Sequence, residues 1–427
     1  MNFIKCFYIL LLLTTLYACS DGGSENGGST NETADPEKLI ISGTTAGALG
    51  IFDPSVTEDP ATGRLWMSYS SVDPSGYTTY NDPIITYWQV STRLAYSDDN
   101  GASWQDSGSV VSPSVETLVG PMTAAHPGGD IPTDSEGIWQ SETSSLIYDP
   151  NANAGEQWKL IWYQYLHADG RSFFADYQWI ALKQAATPEG LAAATPVKLF
   201  GGAGLQPENT NDGSPVYAPI GGAPVIQLNT DLSKTVGGAD LNDLTACIFA
   251  EPGLYASSSA VYMAVFCADA STILTLGDIT QYIVTFRCNS PCNMTSASSW
   301  EYMGRLLSPT DAQAVTTDNH FQAPSIVENN GSTYLIVTPV DKSNPSVDRY
   351  NGCKVYKFSD LNSNQLVKNA GDLVEFANVS AVNGDSDSHH GACDAISDMN
   401  GGILLSQTGR VGTASTFQIF KTQVSLP

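Results

Sequence analysis

Five apolar stretches, each opening with an acid, an amide or a histidine, recur along this chain of 427 residues. The leading polar residues are Asp53, Glu142, Glu251, Gln322 and His390. They lie 89, 109, 71 and 68 positions apart, and each stretch is followed by a turn and a second segment rich in aromatic and β-branched residues. Repetition on this scale is typical of radial or stacked arrays. The sequence therefore predicts an all-β, five-bladed β-propeller whose innermost strands present polar groups to one central site.

The lengths of the connections predict which face of the propeller carries function. Turns between first and second strands are compact, as in Asp59–Gly63 and Asp398–Gly402. Long stretches fall between second and third strands and between blades, as in Ser112–Gln140 and Gly201–Asp243. Both kinds of long connection emerge on the face where the first strands begin. Because loops on a rigid scaffold often carry function, the functional site is predicted on that face. The final blade shows three strands, and Lys38–Ile41 is predicted to supply the fourth, which would leave no open edge.

The first residues predict export and lipid anchoring. Lys5 precedes the apolar run Phe7–Leu13, and the segment ends at Leu16-Tyr17-Ala18-Cys19. A basic start, an apolar run and small residues at a cleavage point are typical of a signal peptide. Leu-Tyr-Ala-Cys also matches the bacterial lipobox. We therefore expect a signal peptide at 1–18, a lipidated Cys19 with a flexible linker at 19–37, and the propeller at 38–427, anchored at the bacterial outer membrane or cell surface.

The charge of the chain excludes one class of partner. It has 18 basic and 44 acidic residues, and a net charge of −26. Such a surface repels phosphate backbones, which argues against nucleic-acid binding. The predicted partners are a carbohydrate and, through the N-terminal lipid alone, a membrane. The protein is predicted to be a monomer.

The cysteines of an exported chain are candidates for disulfides. Eight are present, and six remain after Cys6 and Cys19 are set aside. Cys247 and Cys267 fall on adjacent strands of one predicted hairpin, and Cys288 and Cys292 bracket a tight turn. That leaves Cys353 with Cys393. The sequence alone does not prove this pairing, and zinc is a poor alternative because no histidine follows at ligand spacing.

One turn motif supports the fold more than the activity. Residues 97–104, Ser-Asp-Asp-Asn-Gly-Ala-Ser-Trp, fit the Asp-box pattern Ser-x-Asp-x-Gly-x-Ser/Thr-Trp. This resembles the hairpin turns of sialidases and related propellers, in which the Asp caps amides and the Trp packs under the blade. Sialidases also need an arginine triad, and none of the seven arginines lies in a motif of that kind. A sialidase-like enzyme remains the less favoured alternative.

The heads of the first strands resemble those of the five-bladed arabinanases, β-xylosidases and arabinofuranosidases. Asp53-Pro54-Ser55 matches the family's general-base motif, and Trp139-Gln140-Ser141-Glu142 loosely matches its second motif. Ala250-Glu251-Pro252 takes the place of its third motif, Phe321-Gln322-Ala323-Pro324 that of its fourth, and His390 fills the fifth position. The resemblance implies a glycoside hydrolase-like propeller with Asp53 as base.

The fourth motif departs from the family, which has a glutamate acid where this chain has Gln322. An amide does not donate a proton as a carboxylic acid does. We therefore predict Glu251 as the acid and Glu142 as the tuning carboxylate. Inverting hydrolysis requires two carboxyls about 6.5–9.5 Å apart, a separation that opposed blades can provide. The alternative is a non-catalytic glycan-binding surface lipoprotein that has lost its acid.

Further residues complete the predicted site. Gln322 and His390 are expected to contact substrate, and His390 to lie beside a Ca²⁺ ion at the propeller axis. Asp385 and Asp387 are further candidates for that ion. Trp88 and Trp139 are expected to stack on sugar rings.

Overall fold

The computed structural model describes residues 37–44, 46–78, 86–118, 135–168, 178–201, 225–226, 232, 234–244, 247–269, 280–315, 320–341, 349–380, 388–411 and 414–427. Strands dominate these ranges. The predicted signal peptide, Cys19 and most of the linker lie outside the described residues, as do large parts of the predicted long connections. No helix within the described ranges has the length and apolarity needed to span a bilayer.

Short β-rich segments bounded by turn residues form the strands. Two short strands precede the first blade, and they are β1 (Glu37–Lys38) and β2 (Ile41–Ser42). Blade 1 contains β3 (Gly50–Glu58), β4 (Leu65–Thr78), β5 (Thr86–Ser97) and β6 (Trp104–Val111). Blade 2 contains β7 (Ser114–Leu118), β8 (Ser135–Tyr148), β9 (Trp158–Ala168), β10 (Gln178–Ala185) and β11 (Val197–Gly201). Blade 3 contains β12 (Cys247–Ala256), β13 (Ala260–Asp269), β14 (Thr280–Asn289) and β15 (Trp300–Leu307).

The last two blades complete the set. Blade 4 contains β16 (His320–Asn329), β17 (Ser332–Asp341), β18 (Arg349–Tyr350), β19 (Cys353–Asp360), β20 (Gln365–Leu366), β21 (Lys368–Asn369), β22 (Asp372–Leu373) and β23 (Glu375–Val379). Blade 5 contains β24 (Ser388–Asp394), β25 (Leu404–Val411) and β26 (Ala414–Lys421). The described helices are α1 (Pro309–Val315) and three 3₁₀ turns at Glu189–Ala192, Leu241–Leu244 and Ala297–Ser299.

The innermost long strand of each blade, which we call its first strand, contributes to a ring. In blade 2 this strand is β8, and the short β7 pairs with it. β3, β8, β12, β16 and β24 contact one another in that order, and β24 contacts β3 again. Within each blade the main strands pair antiparallel, outward from the first strand. The predicted five-bladed β-propeller is therefore confirmed.

The core lies between neighbouring blades, because the inner strands are covered on both faces. Trp66 of β4 packs in a cluster with Trp162 and Trp179 of blade 2. The next residue, Met67, packs instead with Leu404 and Ile419 of blade 5. Successive side chains of a strand point to opposite faces, so one blade contributes alternately to two interblade cores.

The N-terminal strands join blade 5 to blade 1. β1 pairs antiparallel with β26, where Lys38 lies opposite Phe420, and β2 pairs in parallel with β6. The prediction that Lys38–Ile41 supplies the fourth strand of the last blade is confirmed for Lys38 and Leu39, but Ile41 pairs with Trp104 of blade 1 instead. Phe417 also pairs with Gly50, at which a Cβ would lie 1.8 Å from the Phe417 carbonyl oxygen. Only glycine allows this approach of the two blades.

The turn at residues 97–104 closes the same junction on the opposite face. The Asp99 carboxylate accepts the Ser103 N–H at 2.8 Å, Gly101 has φ +86°, and Trp104 is buried. The Asn100 amide donates to the Asp398 carbonyl of blade 5 at 2.8 Å. The turn thus contributes to ring closure.

All three predicted disulfides are confirmed. They are Cys247–Cys267, Cys288–Cys292 and Cys353–Cys393. Cys353 lies on β19 and Cys393 on β24, so this bond joins blades 4 and 5. The other two lie within blade 3.

Replacing both Cys353 and Cys393 with Ala is expected to lower the free energy of unfolding by about 2–4 kcal/mol, since the bond closes a loop with a sequence separation of 40. Guanidinium unfolding measures the loss. The matched control is Cys288→Ala with Cys292→Ala, which opens a separation of only 4 and should cost less. Equal losses for the two pairs would contradict the loop-length argument.

Candidate active site

One residue in the first strand of every blade has a left-handed backbone conformation. These residues are Asp53, Thr143, Glu251, Ala323 and Ala392, with φ between 45° and 51°. Each begins a β-bulge, which in blade 1 falls between the pairs Phe52–Ser70 and Ser55–Ser68. Non-glycine residues rarely adopt this conformation, and such strain clusters at active sites. Its recurrence in all five blades marks the ring centre as a candidate site.

The five leading polar residues predicted from the sequence do not all occupy the same position relative to the bulges. Asp53 and Glu251 occupy the bulge position itself. Glu142 and Gln322 lie one residue earlier, and His390 lies two residues earlier. All five are on first strands, as expected, but they lie at three levels along the axis.

Hydrogen bonds from the preceding blade hold most of the bulges. The N–H groups of Asp53, Thr143 and Ala392 donate to the hydroxyls of Ser406, Ser70 and Thr338, at 2.8, 3.2 and 2.7 Å. The Ala323 N–H donates instead to Glu251 Oε2 at 2.8 Å. The carboxylate of blade 3 therefore replaces a hydroxyl in this pattern.

The three predicted catalytic carboxyls are brought together and buried. Asp53, Glu142 and Glu251 are 6%, 4% and 3% exposed. Burial raises the pKa of Asp53 well above its usual value, and the charges of Glu142 and Glu251 raise it further. Hydrogen bonds from Ser70 and the Thr143 N–H oppose that rise. The site therefore holds protons that exposed carboxylates would release.

Glu142 accepts a hydrogen bond from Tyr165. Burial raises its pKa to about 8, against the lowering effect of a hydrogen bond from Tyr165, and the charge of Glu251 adds to the rise. Burial also raises the pKa of Tyr165 well above its usual value, with the charge of Glu142 next in importance. Tyr165 therefore remains a donor to Glu142.

Glu251 is held by one hydrogen bond to each carboxylate oxygen. Tyr350 donates its hydroxyl to Oε1 at 2.9 Å, and the Ala323 N–H donates to Oε2. Burial, and next the charge of Glu251, raise the pKa of Tyr350 well above its usual value. Hydrogen bonds of this kind favour the ionised form of the carboxyl that accepts them.

Gln322 contacts His320, a histidine on the same strand that the sequence analysis did not single out. Its Nε2 lies 3.2 Å from Nε2 of His320, and both side chains are buried. An amide nitrogen can only donate, so the imidazole nitrogen accepts in this arrangement. Gln322 therefore supplies an oriented polar pair at the site rather than an acid.

The other predicted substrate contacts pack against aromatic residues. His390 is buried, its ring packs 6.4 Å from that of Phe420, and its carbonyl accepts the Gly352 N–H at 2.7 Å. Trp88 is half-buried, edge-on to Phe417. Trp139 is only 1% exposed and packs 4.9 Å from Trp179. Since a sugar needs an exposed face to stack on, Trp139 belongs to the interblade core and not to the substrate site.

A small cavity runs along the axis at the level of the bulges. It measures about 40 Å³, and residues at and just after each bulge form its wall. This is room for about two or three waters, whereas ligand pockets measure about 300–1,000 Å³. Asp53 and Glu251 line it, but Glu142, Gln322 and His390 do not. A sugar would therefore bind on the side of the strand starts.

The predicted Ca²⁺ site lies partly outside the described residues. Across the described ranges, no group of three or more His, Cys, Asp or Glu side chains is arranged to hold an ion. Asp385 and Asp387 lie outside them. The Ca²⁺ ion beside His390 therefore stays a prediction, and we derive no step through a metal.

Four of the seven arginines pair with acids. These pairs are Arg64–Asp98, Arg93–Asp106, Arg287–Glu301 and Arg305–Asp243. Arg93, Arg287 and Arg305 lie on the third or fourth strands of their blades, and Arg64 lies in the turn before the second strand of blade 1, whereas the three carboxyls lie on first strands. Arg171 and the side chains of Arg349 and Arg410 lie outside the described residues.

Several groups at the site were missed by the sequence analysis. Tyr165 and Tyr350 bind the carboxyls, and Ser70, Thr338 and Ser406 hold the bulges. Each of these three residues lies on a second strand, opposite the residue just before the bulge of its own blade. The pairs are Ser70 with Phe52, Thr338 with Gln322, and Ser406 with Gly391. A Ser or Thr that recurs near the middle of second strands was therefore the sequence signal that could have identified these residues.

The fold is similar to those of solved glycoside hydrolases, and no family model and no curated protein matches the chain. A thermostable family-43 glycoside hydrolase is 11% identical, with 90% of this chain and 91% of that chain covered and a TM-score of 0.43. A putative glycoside hydrolase from Parabacteroides distasonis is 10% identical, with 93% and 95% covered and a TM-score of 0.45. Zg3597, a family-117 glycoside hydrolase from Zobellia galactanivorans, is 12% identical, with 91% and 88% covered and a TM-score of 0.44. Likenesses at this level assign no activity, so the function is argued from the site.

Proposed function

We propose that this protein is a glycoside hydrolase that cleaves a polysaccharide or oligosaccharide at the ring centre. One observation carries the proposal: three buried carboxyls from three blades meet at or next to strained backbone positions, and their hydrogen-bond partners differ. Carboxyl groups whose surroundings differ in this way are suited to acid and base roles in glycoside hydrolysis.

The hydrogen bonds suggest a role for each carboxyl. Glu142, with a pKa of about 8, is protonated at neutral pH and would donate its proton to the leaving glycosidic oxygen. Asp53, whose pKa burial and the charges of Glu142 and Glu251 raise, would take a proton from the attacking water in its ionised form, which hydrogen bonds from Ser70 and the Thr143 N–H stabilise. The bond to the leaving oxygen breaks as the bond from water oxygen to the anomeric carbon forms.

Glu251 would then be the fixed charge that tunes the other two. Tyr350 and the Ala323 N–H each occupy one of its oxygens. This assignment exchanges the roles of Glu251 and Glu142 relative to the expectation from sequence. Gln322 with His320, and the half-buried Trp88, are proposed substrate contacts.

Asp53→Asn is expected to slow hydrolysis strongly in a screen of oligosaccharides, with release of reducing ends as the measurement. A general base contributes typically about 10²–10⁴-fold, so residual activity should fall by that factor. The exposed carboxylate Glu58, on the same strand, gives the matched control Glu58→Gln, which should retain full activity. Full activity of Asp53→Asn would overturn the assignment of the base.

A glycan-binding protein without hydrolytic activity is the second candidate, favoured by Gln322 in place of the fourth carboxyl. It predicts that the wild-type protein binds glycans on an array and releases no reducing ends from them. Binding that survives in Asp53→Asn together with cleavage by the wild type supports the enzyme instead.

Lipid anchoring through Cys19 at the bacterial cell surface is proposed from the sequence motif alone. Replacing Cys19 with Ser should release the protein from the membrane fraction, as followed by fractionation and by mass spectrometry of the N-terminal peptide. A membrane-bound Cys19→Ser protein would overturn it.

A further inference from the structure

The axial cavity contains polar groups that no hydrogen bond in the structure satisfies. Thr143 Oγ1 and Ser144 Oγ are buried and have no partner. Both residues line the cavity and are at least nine-tenths buried. A buried hydroxyl without a partner costs free energy, and buried waters usually serve such groups.

The same wall carries carboxyls at two levels. Asp53 and Glu251 lie at the bulge, and Asp394 lies two residues after the bulge of blade 5. Asp394 Oδ2 accepts the Val56 N–H of blade 1 at 2.6 Å, and Oδ1 accepts the Ser325 hydroxyl of blade 4 at 2.5 Å. Asp394 thus joins three blades below the candidate site.

We propose that the axial cavity binds a cluster of two or three ordered waters, which connects the carboxyls of Asp53 and Glu251 to that of Asp394 through the hydroxyls of Thr143 and Ser144. The volume fits that number of waters. The described wall has no Lys, Arg or His side chain, so water is the donor that matches these acceptors.

The water cluster gives the buried carboxyls a shared proton. A proton can leave the Asp53 carboxyl as its O–H bond breaks and reach the Asp394 carboxylate as a new O–H bond forms, with each water passing one proton on. Burial raises the pKa of Asp394 to about 6, against hydrogen bonds from Ser325, from the N–H groups of Val56 and Ala395, and from Ser55. The proposed waters would therefore link the titration of Asp53 to that of Asp394.

The water itself is tested without any assay of activity. A crystal structure at pH 7 should show two or three peaks at 2.6–3.2 Å, the ordinary hydrogen-bond range, from the two hydroxyls. Ser144→Ala should then lower the melting temperature, because the water loses a partner. The matched control is Ser68→Ala: Ser68 Oγ is also buried without a partner but is not on the wall, so its loss should leave the melting temperature equal or higher.

The link between the carboxyls is tested by ¹³C NMR of labelled aspartate. Asp394→Asn removes the negative charge that an ionised Asp394 would pass to the water cluster, so it should lower the midpoint of Asp53, on the order of half a pH unit. Ser68→Ala should leave that midpoint unchanged. An empty cavity, a metal ion at about 2.3–2.6 Å from oxygens, or an unmoved Asp53 midpoint would overturn the proposal. Because these readouts do not involve a glycan, failure of the proposed hydrolase activity would leave them intact.

Discussion

Glu142→Gln is expected to lower the rate of glycan hydrolysis by about 10²–10⁴-fold, the usual contribution of a general acid. The amide retains the size of the side chain and can still accept the Tyr165 hydrogen bond, but it has no proton of suitable acidity for the leaving oxygen. Steady-state kinetics on the glycan found in the screen measures the loss. The loss should fall mainly on kcat, because the proton is needed in the transition state.

A leaving group that needs no protonation separates the acid from its neighbours. On an aryl glycoside with an acidic phenol, Glu142→Gln should lose far less activity than on the natural glycan. Glu251→Gln serves as the comparison, since it removes a fixed charge and should lose similar factors on both substrates. If Glu251→Gln shows the strong leaving-group dependence and Glu142→Gln does not, the acid is Glu251 and our assignment is wrong.

The fold was predictable because its signals are local. Turn residues, β-rich segments and the spacing of polar heads each depend on a few neighbouring residues, and together they define the number of blades. The disulfides followed from the same pattern, since Cys247 and Cys267 lie on paired strands, at Phe249–Cys267 and Cys247–Asp269 in the register. Closure by Lys38 was predictable from a missing strand.

The detailed site was not predictable, because it depends on register between strands far apart in sequence. A bulge shifts the pairing of a strand by one position. The residues around Asp53 and Glu142 do not show whether the two side chains lie at the same height along the propeller axis. Tyr350 reaches Glu251 across 99 positions. Trp139 illustrates the same limit, since an aromatic residue near a head can equally face the interblade core, as it does here.

The stability of the protein is expected to fall as pH rises from about 5 to about 8. Glu142 has a raised pKa of about 8 against 4.5 for the free side chain, and Asp394 about 6 against 3.8. Between those values the folded protein binds more protons than the unfolded chain, so the free energy of unfolding decreases with pH. Each proton contributes about 1.4 kcal/mol per pH unit, which gives on the order of 5 kcal/mol for Glu142 over its range.

Glu142→Gln tests the sign as well as the size of this effect. An amide is neutral at every pH, so the variant should lose about 1.4 kcal/mol per pH unit from the slope between pH 5 and 8 and should be more stable than the wild type at pH 8. Glu58→Gln, at an exposed position, should leave the slope unchanged. Guanidinium unfolding at fixed pH values measures both.

If Glu142→Gln gains stability at pH 8 while it loses hydrolysis, unfolding does not account for the lost activity. The loss of activity would then come from the missing carboxyl of Glu142. A slope identical to that of the wild type would mean that Glu142 is ionised in the folded protein and is not the acid.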